Sequence, residues 1–278
     1  MTTDVPYEDF GGAGRWLHLA HANGYPPNSY RALAGHLAQS HRVVSMEQRP
    51  LWPSSDPQDF DSWHPIGDDL LAFLEQHGIE RLVGVGHSLG AVATMYAAVN
   101  CPELFAAVIL IEPVFFPPAT LDQLRQNPET ALRTPLIKRT NRRRNSWPNP
   151  EAAFARFREK RVFSRLSDEA LWDYVNSAVV AGPDDTARLR YPREWEARIY
   201  ATPPTDVWEK VAQLRPPTLA VRAAHSDTLD SAAWAHWQQR QPAAHFVEAP
   251  GSDHLLPMSH PAQLAGIILT FLQETQAI

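Results

Sequence analysis

Apolar and polar positions along the 278-residue chain fall into two alternating patterns. Short runs of mostly aliphatic residues occur at Trp16–Ala20, Arg42–Met46, Arg81–Val85, Ala107–Ile111, Thr218–Arg222 and Ala244–Glu248. Between them lie longer segments with apolar residues three and four apart: Ser29–Gln39, Ile66–His77, Gly90–Asn100, Ser231–Arg240 and Pro261–Gln273. The short runs read as strands buried on both faces, the longer segments as helices. Gly78 just past the second helix and Pro261 at the start of the last are stop and start signals. This alternation predicts an α/β fold, a mostly parallel open sheet of six strands flanked by helices.

One stretch breaks the pattern. From Val114 to Lys210 there are 17 Lys/Arg against 13 Asp/Glu, a balance of +4, while the rest holds 8 against 18, a balance of −10. Proline clusters flank it, at Pro113–Pro118 and at Pro216-Pro217. A compositionally distinct segment between prolines reads as an insertion into a host domain. Residues 1–113 and 211–278 are therefore expected to form the core, and 114–210 a helical cap without strands. Ala152–Phe163 and Asp168–Val180 carry the helical spacing. The Arg142-Arg143-Arg144 run within it reads as a solvated face.

Composition narrows the function classes. One cysteine, Cys101, excludes an internal disulfide and suits a reducing compartment. The first residues have neither the basic nor the apolar region of a leader, and no apolar run approaches a membrane span. A net charge of −6 argues against nucleic acid as a partner. The expectation is a cytoplasmic monomer or homodimer acting on a small molecule with an acyl group, with no metal and no cofactor.

The chemistry concentrates between the third strand and third helix, in Gly86-His87-Ser88-Leu89-Gly90. G-x-S-x-G is the nucleophile elbow: a serine on a turn so sharp that its neighbours two residues away must be small. The helix that follows supplies a backbone N–H and a favourable dipole for developing negative charge. A dinucleotide fingerprint would need glycine at position 89, where this chain has Leu89. In this strand–turn–helix context an acid and then a histidine should follow the serine. Of twelve histidines, His254, in Gly251-Ser252-Asp253-His254, lies in the loop after the last strand and is the expected base. Asp227 follows the Thr218–Arg222 strand and is the preferred acid; Glu112, ending the Ala107–Ile111 strand, is the alternative. Asp253 adjoins His254, and neighbouring side chains in an extended loop point apart. The N–H groups of Leu89 and of Tyr25, in His21-Ala22-Asn23-Gly24-Tyr25-Pro26, are the expected oxyanion donors.

These motifs resemble the α/β-hydrolase fold superfamily along essentially the whole chain. Asn23-Gly24-Tyr25-Pro26 is similar to its H-G-x-P oxyanion loop, with Asn23 in place of histidine, and Gly86–Gly90 is similar to its elbow. The resemblance implies a cap between the strands ending near Ile111 and starting near Thr218, and with little chain before Trp16 it implies missing or reduced leading antiparallel strands. Glu112 stands where some dehalogenase-like branches place their acid. A serine nucleophile disfavours dehalogenase and epoxide hydrolase chemistry. The resemblance implies a serine esterase acting on a small carboxylic ester. Thioesterase, lactonase, carbon–carbon bond hydrolase and cofactor-free perhydrolase chemistry remain open on the same groups, as does a ligand-binding protein without turnover. Phe115, Phe116 and Trp147 are offered as lining of an acyl pocket, although aromatics at such spacings also build a lid's own core.

Overall fold

The computed structural model describes residues 5–53, 55–182 and 186–277; the first four residues of the stretch read for a leader lie outside it. The core is one seven-stranded sheet in the order β1-β3-β2-β4-β5-β9-β10. Its strands are β1 (Tyr7–Gly11), β2 (Trp16–Ala20), β3 (Arg42–Met46), β4 (Leu82–His87), β5 (Phe105–Ile111), β9 (Thr218–His225) and β10 (His245–Asp253). β1 runs antiparallel to β3 and the other pairings are parallel. All six expected strands are present, and one leading antiparallel strand is retained. β1 escapes the apolar pattern because it lies at an edge and buries little of its surface.

Helices α1 (Arg31–Leu37), α2 (His64–Gln76), α3 (Leu89–Asn100), α11 (Ser231–Arg240), α12 (Leu256–Ser259) and α13 (Pro261–Glu274) belong to the core segments. α2 buries Ile66, Leu70, Phe73 and Leu74, a stripe at helical spacing. Every residue of α3 from Leu89 to Ala98 is buried. This apolar, alanine-rich helix fills the space behind β4 without projecting bulk, which fixes the turn that precedes it.

Between β5 and β9 the chain leaves the sheet. It forms α4 (Pro118–Gln126), α5 (Glu129–Leu132), α6 (Pro135–Asn141), α7 (Pro150–Arg158), α8 (Asp168–Ala178), α9 (Arg193–Ala201) and α10 (Val207–Val211). Side-chain caps start two of them: Asn149 accepts from Ala152 N–H, and Ser167 from Ala170 N–H. Contrary to the strandless expectation, the insert also holds a small antiparallel sheet of β6 (Ser146–Trp147), β8 (Ala187–Leu189) and β7 (Val179–Ala181). Strands of two or three residues are too short to show a period in sequence. Ionic contacts tie the insert to the core: Arg190 Nη2 donates to buried Glu47 at 2.6 Å, and Asp206 accepts from Tyr96 Oη at 2.6 Å. Among the described residues no helix is long and apolar enough to cross a membrane.

Candidate active site

Ser88 joins β4 to α3 with φ of +55°, a left-handed conformation that is rare and strained for a residue with a side chain. The two glycines make the turn possible. A Cβ on Gly90 would stand 2.2 Å from Ala20 O, and one on Gly86 2.4 Å from Gly90 O. Neither position can hold a larger residue while the elbow packs against β2. Leu89 is the first residue of α3, so its N–H has no acceptor within the helix.

Glu112 follows β5 as Ser88 follows β4. The strands pair His87 with Ile111, so the serine and the glutamate leave the sheet side by side. Their backbones interlock: Ser88 N–H donates to Ile111 O at 2.9 Å, and Glu112 N–H to Val221 O at 2.8 Å. Glu112 also has positive φ, +49°. Its carboxylate is fully buried and fully engaged. Oε1 accepts from Ala223 N–H at 2.7 Å, and Oε2 accepts from the Ser226 hydroxyl at 2.6 Å. His254 Nδ1 lies 3.1 Å from the same Oε2. With its proton on Nδ1, directed at Glu112, the imidazole presents a free lone pair at Nε2.

This arrangement brings the alternative acid, Glu112, to His254 and leaves the preferred one, Asp227, away from it. Asp227 is exposed, and its carboxylate accepts only a long bond of 3.4 Å from the Thr228 hydroxyl beside it. The loop carrying it turns outward because Ser226, one residue earlier, is drawn in by Glu112. Asp253 is likewise turned away from His254, with Arg165 as its ionic partner.

His254 is held to the elbow by a relay of buried polar groups. Ala22 N–H donates to Tyr30 Oη at 2.9 Å, Tyr30 O–H to His87 Nδ1 at 2.8 Å, and His87 Nε2–H to His254 O at 2.8 Å. The two imidazole rings stand 4.8 Å apart. Both ring nitrogens of His87 are thus committed in the neutral form, and burial, with His254 adding to it, pushes its pKa well below the ordinary value. His21, in the neighbouring loop, accepts from Gln48 N–H and donates to Ala22 O, and burial lowers its pKa to about 4. Ser88 itself is 7% exposed and makes no side-chain hydrogen bond among the described residues. Sequence reasoning did not find Tyr30, whose position eight residues past Ala22 carries no motif.

The expected second oxyanion donor is placed at the site but is engaged there. Tyr25 N–H donates to Ala22 O at 3.2 Å, closing the loop's turn. Above that loop sits the insert. Asn23 Nδ2 donates to Glu196 O at 3.2 Å, and the Glu196 carboxyl lies 3.5–3.7 Å from where a Gly24 Cβ would be. The Tyr25 ring packs at 5.4 Å from that of Tyr174. Glu196 takes an ion pair from Arg143, which is drawn inward while Arg142 and Arg144 are exposed, so the arginine run is not simply a solvated face. The net effect of burial, opposed in part by Arg143, is to raise the Glu196 pKa.

The aromatic residues offered as pocket lining have other roles. Phe115 is fully buried between Trp208 and Trp237, at 5.2 and 4.9 Å. Phe116 is partly buried against the same cluster, and its carbonyl accepts from Trp208 Nε1 at 3.0 Å. Trp147 packs on Phe157 inside the insert.

Comparison with known proteins agrees with the geometry. A model of the alpha/beta hydrolase family matches residues 18–267. Strigolactone esterase D14 of Arabidopsis thaliana is 33% identical over 106 residues, 36% of this chain and 39% of that protein. The chain thus aligns with little more than a third of the length of such plant esterases. A 2-(acetamidomethylene)succinate hydrolase of Mesorhizobium japonicum is 25% identical over 85% of this chain and 80% of its own. Among solved structures, an E-2-(acetamidomethylene)succinate hydrolase superposes with a TM-score of 0.82 at 21% identity, covering 96% of this chain and 94% of its own. The thioesterase domain from the curacin biosynthetic pathway gives 0.76 at 18% identity over 95% and 94%. This chain belongs to the alpha/beta hydrolase family.

Proposed function

We propose that the protein is a serine hydrolase that cleaves a small carboxylic ester through Ser88, His254 and Glu112. His254 Nε2 removes the Ser88 proton as Oγ attacks the acyl carbon. The new imidazolium is held by Glu112, whose other bonds keep it aimed at Nδ1. The oxyanion is received by Leu89 N–H and by Tyr25 N–H, which it takes over from Ala22 O. As the C–O bond breaks, His254 returns the proton to the leaving alkoxide. Water, deprotonated by the same nitrogen, then releases the acid and restores Ser88. Residues 114–210 act as the cap that covers the acyl site.

The reading rests on one observation: His254 Nδ1 faces a buried carboxylate while its backbone is pinned to the residue before Ser88. A second reading, amide cleavage, is favoured by the 2-(acetamidomethylene)succinate hydrolase that matches most of the chain. The same groups serve it, with His254 protonating a departing amine.

A burst assay with short and medium-chain p-nitrophenyl esters tests the mechanism. Wild type should release p-nitrophenol and be labelled at Ser88 by a fluorophosphonate, and Ser88→Ala should do neither while remaining folded. An equally active Ser88→Ala would end the proposal.

A further inference from the structure

A charged residue of the insert is left over by this mechanism. The Arg143 side chain is 24% exposed and that of its partner Glu196 10%. An ion pair so far removed from water loses more hydration than its attraction returns, unless further bonds complete it. These bonds are only partly present. A guanidinium has five N–H donors. Glu196 takes one, and the Tyr174 phenol stands at another. The loop that carries Arg143 is itself fixed, because Arg193 Nη1 donates to Arg143 O at 3.1 Å.

A second donor in the same place is unspent. Tyr191 is 1% exposed, and its hydroxyl oxygen is approached by the Gly24 backbone, but among the described residues its O–H finds no acceptor. Buried donors without acceptors are uncommon and call for a partner. The Tyr191 hydroxyl and the Arg143–Glu196 pair lie against the oxyanion loop on the insert side, at Gly24 and Tyr25. What they lack is an acceptor with two oxygens and negative charge, which a guanidinium fork matches.

We propose that Arg143 and the Tyr191 hydroxyl form a subsite for a carboxylate carried on the acyl portion of the substrate, with Glu196 orienting the guanidinium. The proposal rests on the serine-hydrolase reading and narrows its substrate class to monoesters or monoamides of short dicarboxylic acids. The carboxylate binds across the free edge of the guanidinium while the acyl carbon lies at Ser88. Glu196 is a positioning residue: it holds one side of the fork, and the substrate occupies the other.

The test compares two esters of equal acyl length, mono-p-nitrophenyl glutarate and p-nitrophenyl valerate. Wild type should favour the glutarate ester in kcat/KM by roughly 10- to 100-fold, the range of a hydrogen bond to a charged group. In Arg143→Gln the ratio should fall toward unity. Arg143→Lys should recover part of it, since lysine keeps the charge and loses the fork. Because Arg143→Gln strands a buried carboxylate, Arg143→Gln/Glu196→Gln serves if the single variant does not fold. Calorimetry with glutarate gives a readout independent of turnover: binding to wild type, and its loss in the Arg143 variant. A wild-type ratio near unity, or a preference that survives Arg143→Gln, overturns the subsite. A Ser88 inert to fluorophosphonate and to both esters overturns the hydrolase reading instead, and glutarate binding then judges the subsite alone.

Discussion

The two sides of the site are built by different means. On the sheet side, Ser88 and Glu112 are set by main-chain bonds at the ends of adjacent strands, and the strands that carry them are buried throughout. On the insert side, positions are set by long side chains: Arg143 on Glu196, Arg190 on Glu47, and Arg165 on Gly251 O and Asp253. A backbone ladder fixes geometry to a fraction of an ångström whatever the side chains are. An arginine contact fixes it only while both partners keep their chemistry. The sheet side is therefore where geometry decides the reaction, and the insert side is where substitution can retune it.

The sharpest way to break this contrast is to exchange the roles of the two acids. Glu112→Gln should lower kcat/KM by on the order of 10⁴, as loss of the orienting carboxylate does in such triads, whereas Asp227→Asn should leave it within about twofold. Equal losses, measured with any ester that wild type turns over, would show that the acid had been misassigned. Next in size is the elbow. Gly90→Ala should destabilise the fold by about 3 kcal/mol or more, because its Cβ would meet the main chain of β2. A urea midpoint unchanged from wild type would mean that the turn is looser than described.

The relay through Tyr30 should have an intermediate effect. Tyr30→Phe leaves Ala22 N–H and His87 Nδ1 without partners, at about 1–3 kcal/mol for each buried group left unpaired. If the relay positions His254, kcat should fall with little change in KM. A stability loss at unaltered kcat would make it a packing device only. Smaller still is a pH effect on folding. Burial, with His21 adding to it, lowers the His18 pKa to about 3, and burial lowers that of His21 to about 4, against an ordinary value of 6.5. The unfolded chain thus takes up protons at higher pH than the folded one. The contribution of these residues is complete above pH 6.5 and is lost as pH falls through that value toward 4 and then 3. Urea midpoints between pH 7.5 and 4.5 should decline, and His21→Gln should flatten the decline; a profile unchanged by that substitution would contradict the neutral assignment. Least of all should be Arg165→Ala, whose partly exposed ion pair is worth roughly 0–1 kcal/mol.

What was legible in sequence follows the same division. The parallel strands of the main sheet, β2, β3, β4, β5, β9 and β10, announce themselves as short, mostly apolar runs, and the elbow because its glycines answer to a steric demand. His254 was singled out from its place in chain order, and the structure sets it beside Glu112. The acid was harder. Asp227 and Glu112 both end strands at the right edge, and the deciding fact is a long-range one: β5 lies beside β4, so position 112 emerges next to position 88. The adjacency of those strands, once assumed, would have favoured Glu112. Tyr30, Ser226 and Arg143 had no local signal, because each acquires its role from a partner remote in the chain or on another loop. The arginine run misled for the same reason, since composition cannot say which of three neighbours turns inward.

The neighbouring exits of Ser88 and Glu112 also bear on how the protein should fail when heated. Their separation follows the spacing of two central strands, about 4.8 Å, so it persists as long as the sheet does. His254 instead follows β10, the edge strand, whose register breaks between Ala249 and Asp253, and it is braced by the His87 imidazole below and by Arg165 outside. Thermal inactivation is therefore expected to begin at one hinge: turnover should decline reversibly at temperatures where far-UV dichroism still reports an intact sheet, with the serine and the glutamate waiting in register for the histidine to return.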